Sequence, residues 1–493
     1  MKKKRIIFRA DGNLIAGYGH VIRGLSLATM LKNKYHTVFV IQEPDIFLQK
    51  QIKETCAKLI TLPFTKNLSA ESKHLSKNIL DANDIVVLDG YGYGINYQKE
   101  IKKGCFKLIC IDDIYDHDFV ADVIINHGEG IKRNDYSAER FSAIYLGTRY
   151  SILRKSFLKK PLSPELYNIT KHKAFISLGG TDQQNYTQKA LKICLRNSTI
   201  KEINIVVGSF YPYLDKLQHM ADSNKKVKIK VHRNLSEQNI SSMMRMSTVA
   251  ICSASTLSYE YSSVGGLLFL YQTVLNQKKI YSFMIKSEIA YPVASFDIVL
   301  ASFKDKSICE NYFTNRRQYF AGDTAKNLIS IFDRLERERG CHIRPAISSD
   351  VHTYFKWVND PEVRANSVNI EPVNFDGHTK WFVSKLKDKN ASLYIVEKNR
   401  VPLGQVRFDR GNNESEIDYS VGKSFRGKGY GDVLLKKAIQ EHLIKFPKHK
   451  IIAKVKMSNI ASNRVFEKLG FKKNGVGMLG GIKYVRYVLP AAN

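Results

Sequence analysis

Gly17-Tyr18-Gly19-His20-Val21-Ile22-Arg23 stands between an apolar run, Arg5 to Ala10, and a helical stretch from His20 to Asn33. A strand, a glycine turn and a helix in that order expose free backbone N–H groups at a helix N-terminus, an arrangement that cradles a diphosphate. Outward from this loop, apolar runs at Thr37 to Gln42, Asp84 to Asp89, Lys107 to Ile111 and Val123 to Asn126 alternate with helical stretches. The alternation predicts a doubly wound α/β lobe with a parallel sheet over residues 1–165. Lys159 to Lys173, polar and with two prolines, reads as a linker. A second series then runs through Ala174 to Leu178, Ile203 to Val207, Val227 to Val231, Val249 to Ser253 and Leu267 to Tyr271. Residues 166–335 are therefore expected to form a second Rossmann-like lobe, and two such lobes in tandem make a cleft where the carboxyl ends of their sheets meet.

The rhythm changes after Asp333-Arg334-Leu335-Glu336-Arg337-Glu338-Arg339-Gly340, a charged helix end closed by glycine. Over 341–493 the pattern predicts a helix near Val351 to Asn359 and strands at Ser392 to Lys398, Pro402 to Asp409 and Glu416 to Val421. A helix from Gly429, a strand Lys450 to Lys456 and a helix Ala461 to Leu469 follow. Hairpin strands feeding one glycine loop and a helix suggest an α+β unit. That loop is Arg426-Gly427-Lys428-Gly429-Tyr430-Gly431, whose glycines let backbone approach a pyrophosphate because no Cβ intrudes. With a chain of 493 residues, three globular units are the expectation.

In the first loop His20 falls at the helix start, where the positive end of the dipole favours a neutral imidazole able to take a proton. The company of Gly19 and Arg23 makes it a candidate site rather than a lone histidine. In the second lobe, Ser177-Leu178-Gly179-Gly180-Thr181-Asp182 repeats the strand, turn and helix arrangement. Ser253-Ala254-Ser255-Thr256-Leu257-Ser258-Tyr259-Glu260 places hydroxyls at a strand end and a carboxylate one turn into the next helix. That carboxylate either accepts both hydroxyls of a ribose or simply complements the helix dipole. Asn276-Gln277 offers amide donors to a phosphate. Asp112-Asp113-Ile114-Tyr115-Asp116-His117-Asp118 has carboxylates that suit a hard cation; a strand-end pair for sugar binding or hydrogen bonding is the preferred reading, since the spacing of a calcium loop is absent.

Lys+Arg 77 against Asp+Glu 46 gives a net charge of +31, which attracts polyanions in general. The lysines are scattered through every segment with no basic stripe interleaved with aromatics. The charge is therefore read as a diffuse surface property that favours anionic small molecules, with nucleic-acid binding kept only as an alternative. Seven cysteines form no closely spaced pair and read as buried thiols of a reducing compartment. The apolar run after the basic start stops within three residues, and no run approaches the ~20 residues of a spanning helix. A cytoplasmic protein without membrane insertion is the expectation; the oligomeric state stays open.

Arg9-Ala10-Asp11, Gly17-x-Gly19-His20-x-x-Arg23, Asp89-Gly90-Tyr91, Asp112-Asp113, Gly179-Gly180-Thr181-Asp182-x-x-Asn185, Ser255 to Glu260 and Asn276-Gln277 together resemble the nucleotide-sugar hydrolases of pseudaminic acid biosynthesis. Those enzymes are related in fold to the GT-B glycosyltransferases, and the likeness spans about residues 5–335. The resemblance implies metal-free release of UDP from UDP-2,4-diacetamido-2,4,6-trideoxy-β-L-altropyranose by water attack at the anomeric carbon, with inversion. It implies that His20 positions and deprotonates the water and that Tyr91 acts with it in the sugar pocket. Gly180 and Asn276 would stabilise the departing diphosphate, Glu260 would hold the ribose, and Gly19, Arg23, Asp113, Thr181 and Ser255 would contact substrate.

Arg426-x-x-Gly429-x-Gly431, followed about thirty residues later by Asn459-Ile460-Ala461-Ser462-Asn463-Arg464-Val465-Phe466-Glu467-Lys468-Leu469-Gly470-Phe471, looks like the GNAT acetyltransferase family. The likeness covers about residues 341–489 and implies acetyl-CoA as co-substrate. Arg426, Gly427, Gly429 and Gly431 would hold its pyrophosphate, and Asn459 would lie near the pantetheine arm. Phe466 stands where many relatives have a tyrosine assigned as general acid, which leaves the proton donor open. Glu416 and Asp418 share a strand face and read either as a base acting through water or as ordinary solvent-facing carboxylates. Trp357 to Arg364, His378-x-x-Trp381-Phe382 and Gly404 to Phe408 are similar to the acetyltransferases that modify the 4-amino group of a UDP-6-deoxy-amino sugar before the hydrolysis above. For the two tryptophans, core and pocket roles remain open. The expectation is a bifunctional enzyme that acetylates UDP-4-amino-4,6-dideoxy-N-acetyl-β-L-altrosamine and then releases UDP; the alternative is a GT-B glycosyltransferase fused to a GNAT enzyme acting on another amine.

Overall fold

In the computed structural model, residues 4–12, 18–158, 171–179, 182–208, 211–233 and 235–491 are described, Asn276 by its backbone alone. The chain divides into two compact units, Met1–Ser330 and Ile331–Asn493. The first opens with β1 (Arg5–Arg9), β2 (His36–Gln42), β3 (Lys58–Leu62), β4 (Ile85–Asp89), β5 (Lys107–Ile111), β6 (Val123–Asn126) and β7 (Ala143–Leu146). These form one sheet in the order β3-β2-β1-β4-β5-β6-β7, with every neighbour parallel. Ile6, Ile7 and Phe8 are all buried, the mark of a central strand covered on both faces. The order reverses between β1 and β4, so the chain leaves those strands in opposite directions and opens a crevice at their carboxyl ends. His20 follows β1, and Asp89 ends β4.

The second sheet of this unit uses β8 (His172–Ser177), β9 (Ile200–Val207), β10 (Lys228–Arg233), β11 (Val249–Ser253), β12 (Leu267–Tyr271) and β13 (Tyr291–Pro292). Its order is β10-β9-β8-β11-β12-β13, again parallel, with the reversal between β8 and β11. Side chains of β8 alternate between two cores. Ala174 and Ile176 enter one with Leu267 and Phe269, and Phe175 enters the other with Tyr259 and Leu268. The linker read at Lys159 to Lys173 lies outside the described residues up to residue 170, as does the expected division at 165/166.

The second unit contains β14 (Cys341–Pro345), β15 (Ala391–Lys398), β16 (Val401–Arg410), β17 (Glu414–Val421), β18 (Lys450–Lys456), β19 (Lys472–Leu479) and β20 (Ile482–Leu489). They form one sheet in the order β14-β15-β16-β17-β18-β20-β19. Neighbours are antiparallel except β17 and β18, whose parallel register covers only Glu414–Glu416 against Lys450–Ile452. Both strands run on past that register, to Val421 and Lys456, so they part. The expected helix from Gly429 begins at Gly431 and runs to Lys445; its late start leaves the preceding glycines in the turn. No helix among the described residues is long and apolar enough to cross a membrane. All seven cysteines are free thiols, six buried and Cys105 partly so.

Burial sets one pH response. His442 is stacked on Phe408 at 4.0 Å and bonded through Nε2 to Ser415 Oγ at 2.9 Å, and burial pushes it down to about 3. An unfolded histidine takes its proton near 6.5, so below that pH the unfolded chain binds a proton the folded unit refuses. Stability carried by neutral His442 is complete above about pH 6.5 and is lost as pH falls toward 3, with a limiting slope of about 1.4 kcal/mol per pH unit. Urea midpoints of the second unit's transition between pH 7 and 4 are expected to fall less steeply in His442→Gln than in the parent.

Candidate active sites

Asp89 places its buried carboxylate at the crevice beside β1, and His20, second residue of the helix Gly19–Leu31, meets it. His20 Nδ1 lies 2.7 Å from Asp89 Oδ1, while Arg23, one turn on, donates from Nε to Oδ2 at 2.7 Å and from Nη2 to Oδ1 at 2.6 Å. Burial alone would raise the Asp89 carboxyl, but the Arg23 charge and the hydrogen bonds from Arg23 and His20 bring it below the usual range. It is thus an anion that can only accept, so the Nδ1 contact requires the proton on Nδ1. In the neutral ring that tautomer leaves the lone pair on Nε2, which has no partner among the described residues. Arg23 Nη2 also lies 3.1 Å from Nδ1; the shorter contact to an anion decides the tautomer. The Tyr91 ring stands edge-on to the imidazole, centroids 4.8 Å apart at 86°, and limits its rotation.

Around this pair, Arg23 Nη1 donates to Asp113 Oδ2 at 3.0 Å, and Asp113 Oδ1 is buried with no hydrogen-bond partner among the described residues. The Tyr91 phenol is pushed up to about 12 by burial and then by the Asp113 charge, so it remains a hydroxyl. Gly19 is exposed and open on the side a Cβ would take. Asp112 turns away, accepting from Tyr136 Oη at 2.6 Å and from the Tyr115 N–H at 3.0 Å. Among the described residues no group of three or more His, Cys, Asp or Glu is arranged to hold a metal ion.

The second lobe contributes less directly than its sequence suggests. Both oxygens of Glu260 are taken by Arg154, from Nε at 2.7 Å and Nη2 at 2.6 Å, because a carboxylate this buried needs a cation. A ribose held there would have to use the remaining lone pairs. Ser255 precedes the helix Thr256–Val264 and shares a hydrogen bond with Ser253 Oγ at 3.1 Å. Gly180, Thr181 and the Asn276 side chain lie outside the described residues, as does Gly17. Beside the first pair, Gly179 takes φ +101°, and the Asp182 carboxylate caps the helix Tyr186–Arg196 through the N–H groups of Tyr186 and Thr187. Sequence reasoning missed the roles of Asp89 and Arg154. It also missed His127, a buried imidazole at the end of β6 that stands edge-on to Tyr259 at 5.7 Å and is pushed down to about 4 by burial.

In the second unit, Gly427 and Gly429 have φ of +68° and +75°, and nothing lies within 4 Å of the place a Cβ would take at Gly427. The loop can therefore turn its backbone toward an anion at the start of the helix Gly431–Lys445. Arg426, expected among the residues that hold the pyrophosphate, spends most of its side chain on protein partners. Its Nε donates to the Val421 carbonyl at 2.8 Å and Nη1 to Asp360 at 2.6 Å and Glu362 at 3.1 Å. The side chain braces the loop, and only Nη2 is left without a partner. Asn459 uses its carbonyl oxygen to cap the helix Ile460–Lys468, accepting from the Ser462 N–H at 3.0 Å. Glu416 Oε2 receives Lys454 Nζ at 2.7 Å, and Asp418 Oδ2 receives Gln405 Nε2 at 3.3 Å; both acids are exposed. Trp357 packs into the core with Tyr354 and Phe382, whereas Trp381 faces the Arg407 guanidinium at 5.4 Å. Phe466 is buried edge-on against Tyr419, whose hydroxyl shares a 2.8 Å hydrogen bond with Ser462 Oγ; no motif marks Tyr419.

Residues 341–472 match the acetyltransferase (GNAT) domain family, so the C-terminal part of the chain is a GNAT acetyltransferase domain. The N-terminal half resembles at 27% identity, over 263 residues, the UDP-2,4-diacetamido-2,4,6-trideoxy-β-L-altropyranose hydrolase of Campylobacter jejuni, covering 52% of this chain and 87% of that one. An uncharacterized protein of Methanocaldococcus jannaschii is 25% identical over 493 residues, 96% of this chain and 98% of its own. Among solved structures, spermidine N-acetyltransferase from Vibrio cholerae in complex with CoA and spermine aligns at 18% identity and a TM-score of 0.29, covering 31% of this chain and 96% of that one.

Proposed function

We propose that the chain acts twice on one UDP-linked amino sugar. The GNAT domain acetylates the 4-amino group of UDP-4-amino-4,6-dideoxy-N-acetyl-β-L-altrosamine, and the first unit hydrolyses the product to UDP and free sugar. The hydrolase half rests on the Asp89–His20 pair, an imidazole held by Nδ1 with Nε2 free to accept a proton. Water attacks the anomeric carbon as its proton passes to Nε2, and the bond from that carbon to the diphosphate breaks with its electrons leaving on UDP. Asp89 stabilises the imidazolium that forms. Gly180 and Asn276 are assigned to the departing diphosphate, with Gly19, Arg23, Tyr91, Asp113, Thr181, Ser255 and Glu260 shaping the sugar and nucleoside sites.

For the acetyl transfer, the loop Arg426–Gly431 suits a pyrophosphate: Gly427 and Gly429 turn at positive φ, and nothing lies within 4 Å of the place a Cβ would take at Gly427. Bound acetyl-CoA supplies an activated acyl group. Glu416 and Asp418, on one face of β17, are assigned to accept the proton of the incoming amine through water. Phe466 cannot donate a proton, and the paired hydroxyls of Tyr419 and Ser462 beside it are the candidates for that task. Proton NMR of the purified chain with UDP-2,4-diacetamido-2,4,6-trideoxy-β-L-altropyranose, without metal or sugar acceptor, is expected to show UDP and free sugar, inverted anomer first. Turnover that requires a sugar acceptor would sink the hydrolase in favour of a glycosyltransferase.

A further inference from the structure

The acetyltransferase loop has a second arginine over it that no motif marks. The helix Thr324–Glu338 ends just before β14, and the carbonyl of its Arg337 accepts Lys398 Nζ at 3.0 Å and Cys341 Sγ at 3.2 Å, which fixes that helix end to the sheet. The Arg337 guanidinium lies over Gly429, with Nε, Cζ and Nη2 at 3.3, 3.4 and 3.6 Å from the place a Cβ would take. Its Nε is buried and has no hydrogen-bond partner among the described residues, and the same holds for Arg426 Nη2 in the same loop.

The acids of this neighbourhood have other cations. Asp432 is held by Lys468 at 2.6 Å and Arg334 at 3.3 Å, Glu338 by Lys436 at 3.7 Å, Glu336 by Arg339 at 2.8 Å and Asp360 by Arg426 at 2.6 Å. A buried guanidinium N–H without an acceptor is costly, and two of them beside a turn of left-handed glycines make a setting that an anion with several oxygens completes. We propose that Arg337 donates hydrogen bonds to a phosphate of CoA seated on the loop Arg426–Gly431, so that the helix leading into the domain forms part of its cofactor site. This rests on the acetyl-CoA reading above.

Calorimetric titration of the full chain with CoA and with dephospho-CoA tests it, using the parent, Arg337→Ala and Arg337→Lys. The expected result is a Kd raised about tenfold or more in Arg337→Ala, with partial recovery in Arg337→Lys. Loss toward both ligands assigns the contact to the diphosphate, and loss toward CoA alone assigns it to the 3′-phosphate. If the parent binds CoA and both variants bind it equally well, Arg337 merely packs on Gly429 and the proposal is overturned. If the parent itself binds no CoA, the acetyl-CoA reading fails first and takes this assignment with it. Thermal melts identify a variant that has lost its fold, in which case the lysine variant decides.

Discussion

Replacing His20 by alanine is expected to slow UDP release by about 10³-fold while leaving KM for the UDP-sugar little changed. The expectation follows from the tautomer. Asp89 is an anion beside Nδ1, so the only basic nitrogen of the ring is Nε2, and alanine removes it without disturbing the bonds that Arg23 makes to Asp89. Asp89→Asn is a sharper probe of the same idea. An amide can turn its NH2 toward Nδ1, which moves the ring proton to Nε2 and removes the lone pair that must accept from water; a loss of about 10²–10⁴-fold in kcat is expected although no atom of the base is missing. Anomer-resolved NMR rates measure both. A His20→Ala enzyme retaining more than a tenth of the parent rate would remove His20 as the base, whatever the fate of the acetyltransferase.

The second large effect is on stability. Arg9 is 1% exposed at the end of β1, where it pairs with Glu71 at 2.9 Å and Asp11 at 2.5 Å, and Tyr97 Oη adds a 2.6 Å hydrogen bond to Glu71. Burial works against the charge on both partners. The Arg9 guanidinium is nonetheless held above its usual range by its tyrosine and carboxylate neighbours, and the Glu71 carboxyl below its own by Arg9. Arg9→Met would leave Glu71 buried without its cation, at a cost of about 3–5 kcal/mol. The double variant Arg9→Met with Glu71→Leu removes both charges and is expected to regain most of that loss. Urea unfolding of the first unit measures each. A single variant within 1 kcal/mol of the parent would mean that water or a rearranged neighbour neutralises Glu71.

The parts of this molecule that sequence reveals are those in which one physical demand acts on adjacent residues. β1, β4, β5 and β11 are buried on both faces, so their apolar runs are continuous and the parallel sheets could be anticipated. β3 and β19 run along sheet edges with much of their surface in water, and Lys58–Leu62 and Lys472–Leu479 accordingly show no such run. The loop from Gly17 to Arg23 was legible because glycine, histidine and arginine lie within one turn. The bond from His20 to Asp89 spans 69 positions and that from Arg154 to Glu260 spans 106, so only the folded chain reveals what holds the His20 ring and what neutralises Glu260. Arg426 shows the complementary limit: its spacing from the glycines predicts the path of the backbone but says nothing of Asp360, 66 positions away, which claims its side chain.

The parting of β17 from β18 gives the GNAT domain a boundary in the interior of its own sheet. Past Glu416 and Ile452 the two strands no longer form a ladder, and backbone left in that condition is a template for any extended segment that reaches it. If the acetyl-CoA proposed for this domain lies in that gap, it occupies the same backbone to which another copy of the chain could add a strand. Mass action links the two fates: a ligand lying in that gap at a hundred times its Kd favours the folded, closed domain by about 2.7 kcal/mol. On the acetyl-CoA reading, the tendency of the protein to clump on warming should fall as acetyl-CoA is added, and solubility would then report occupancy of the proposed site.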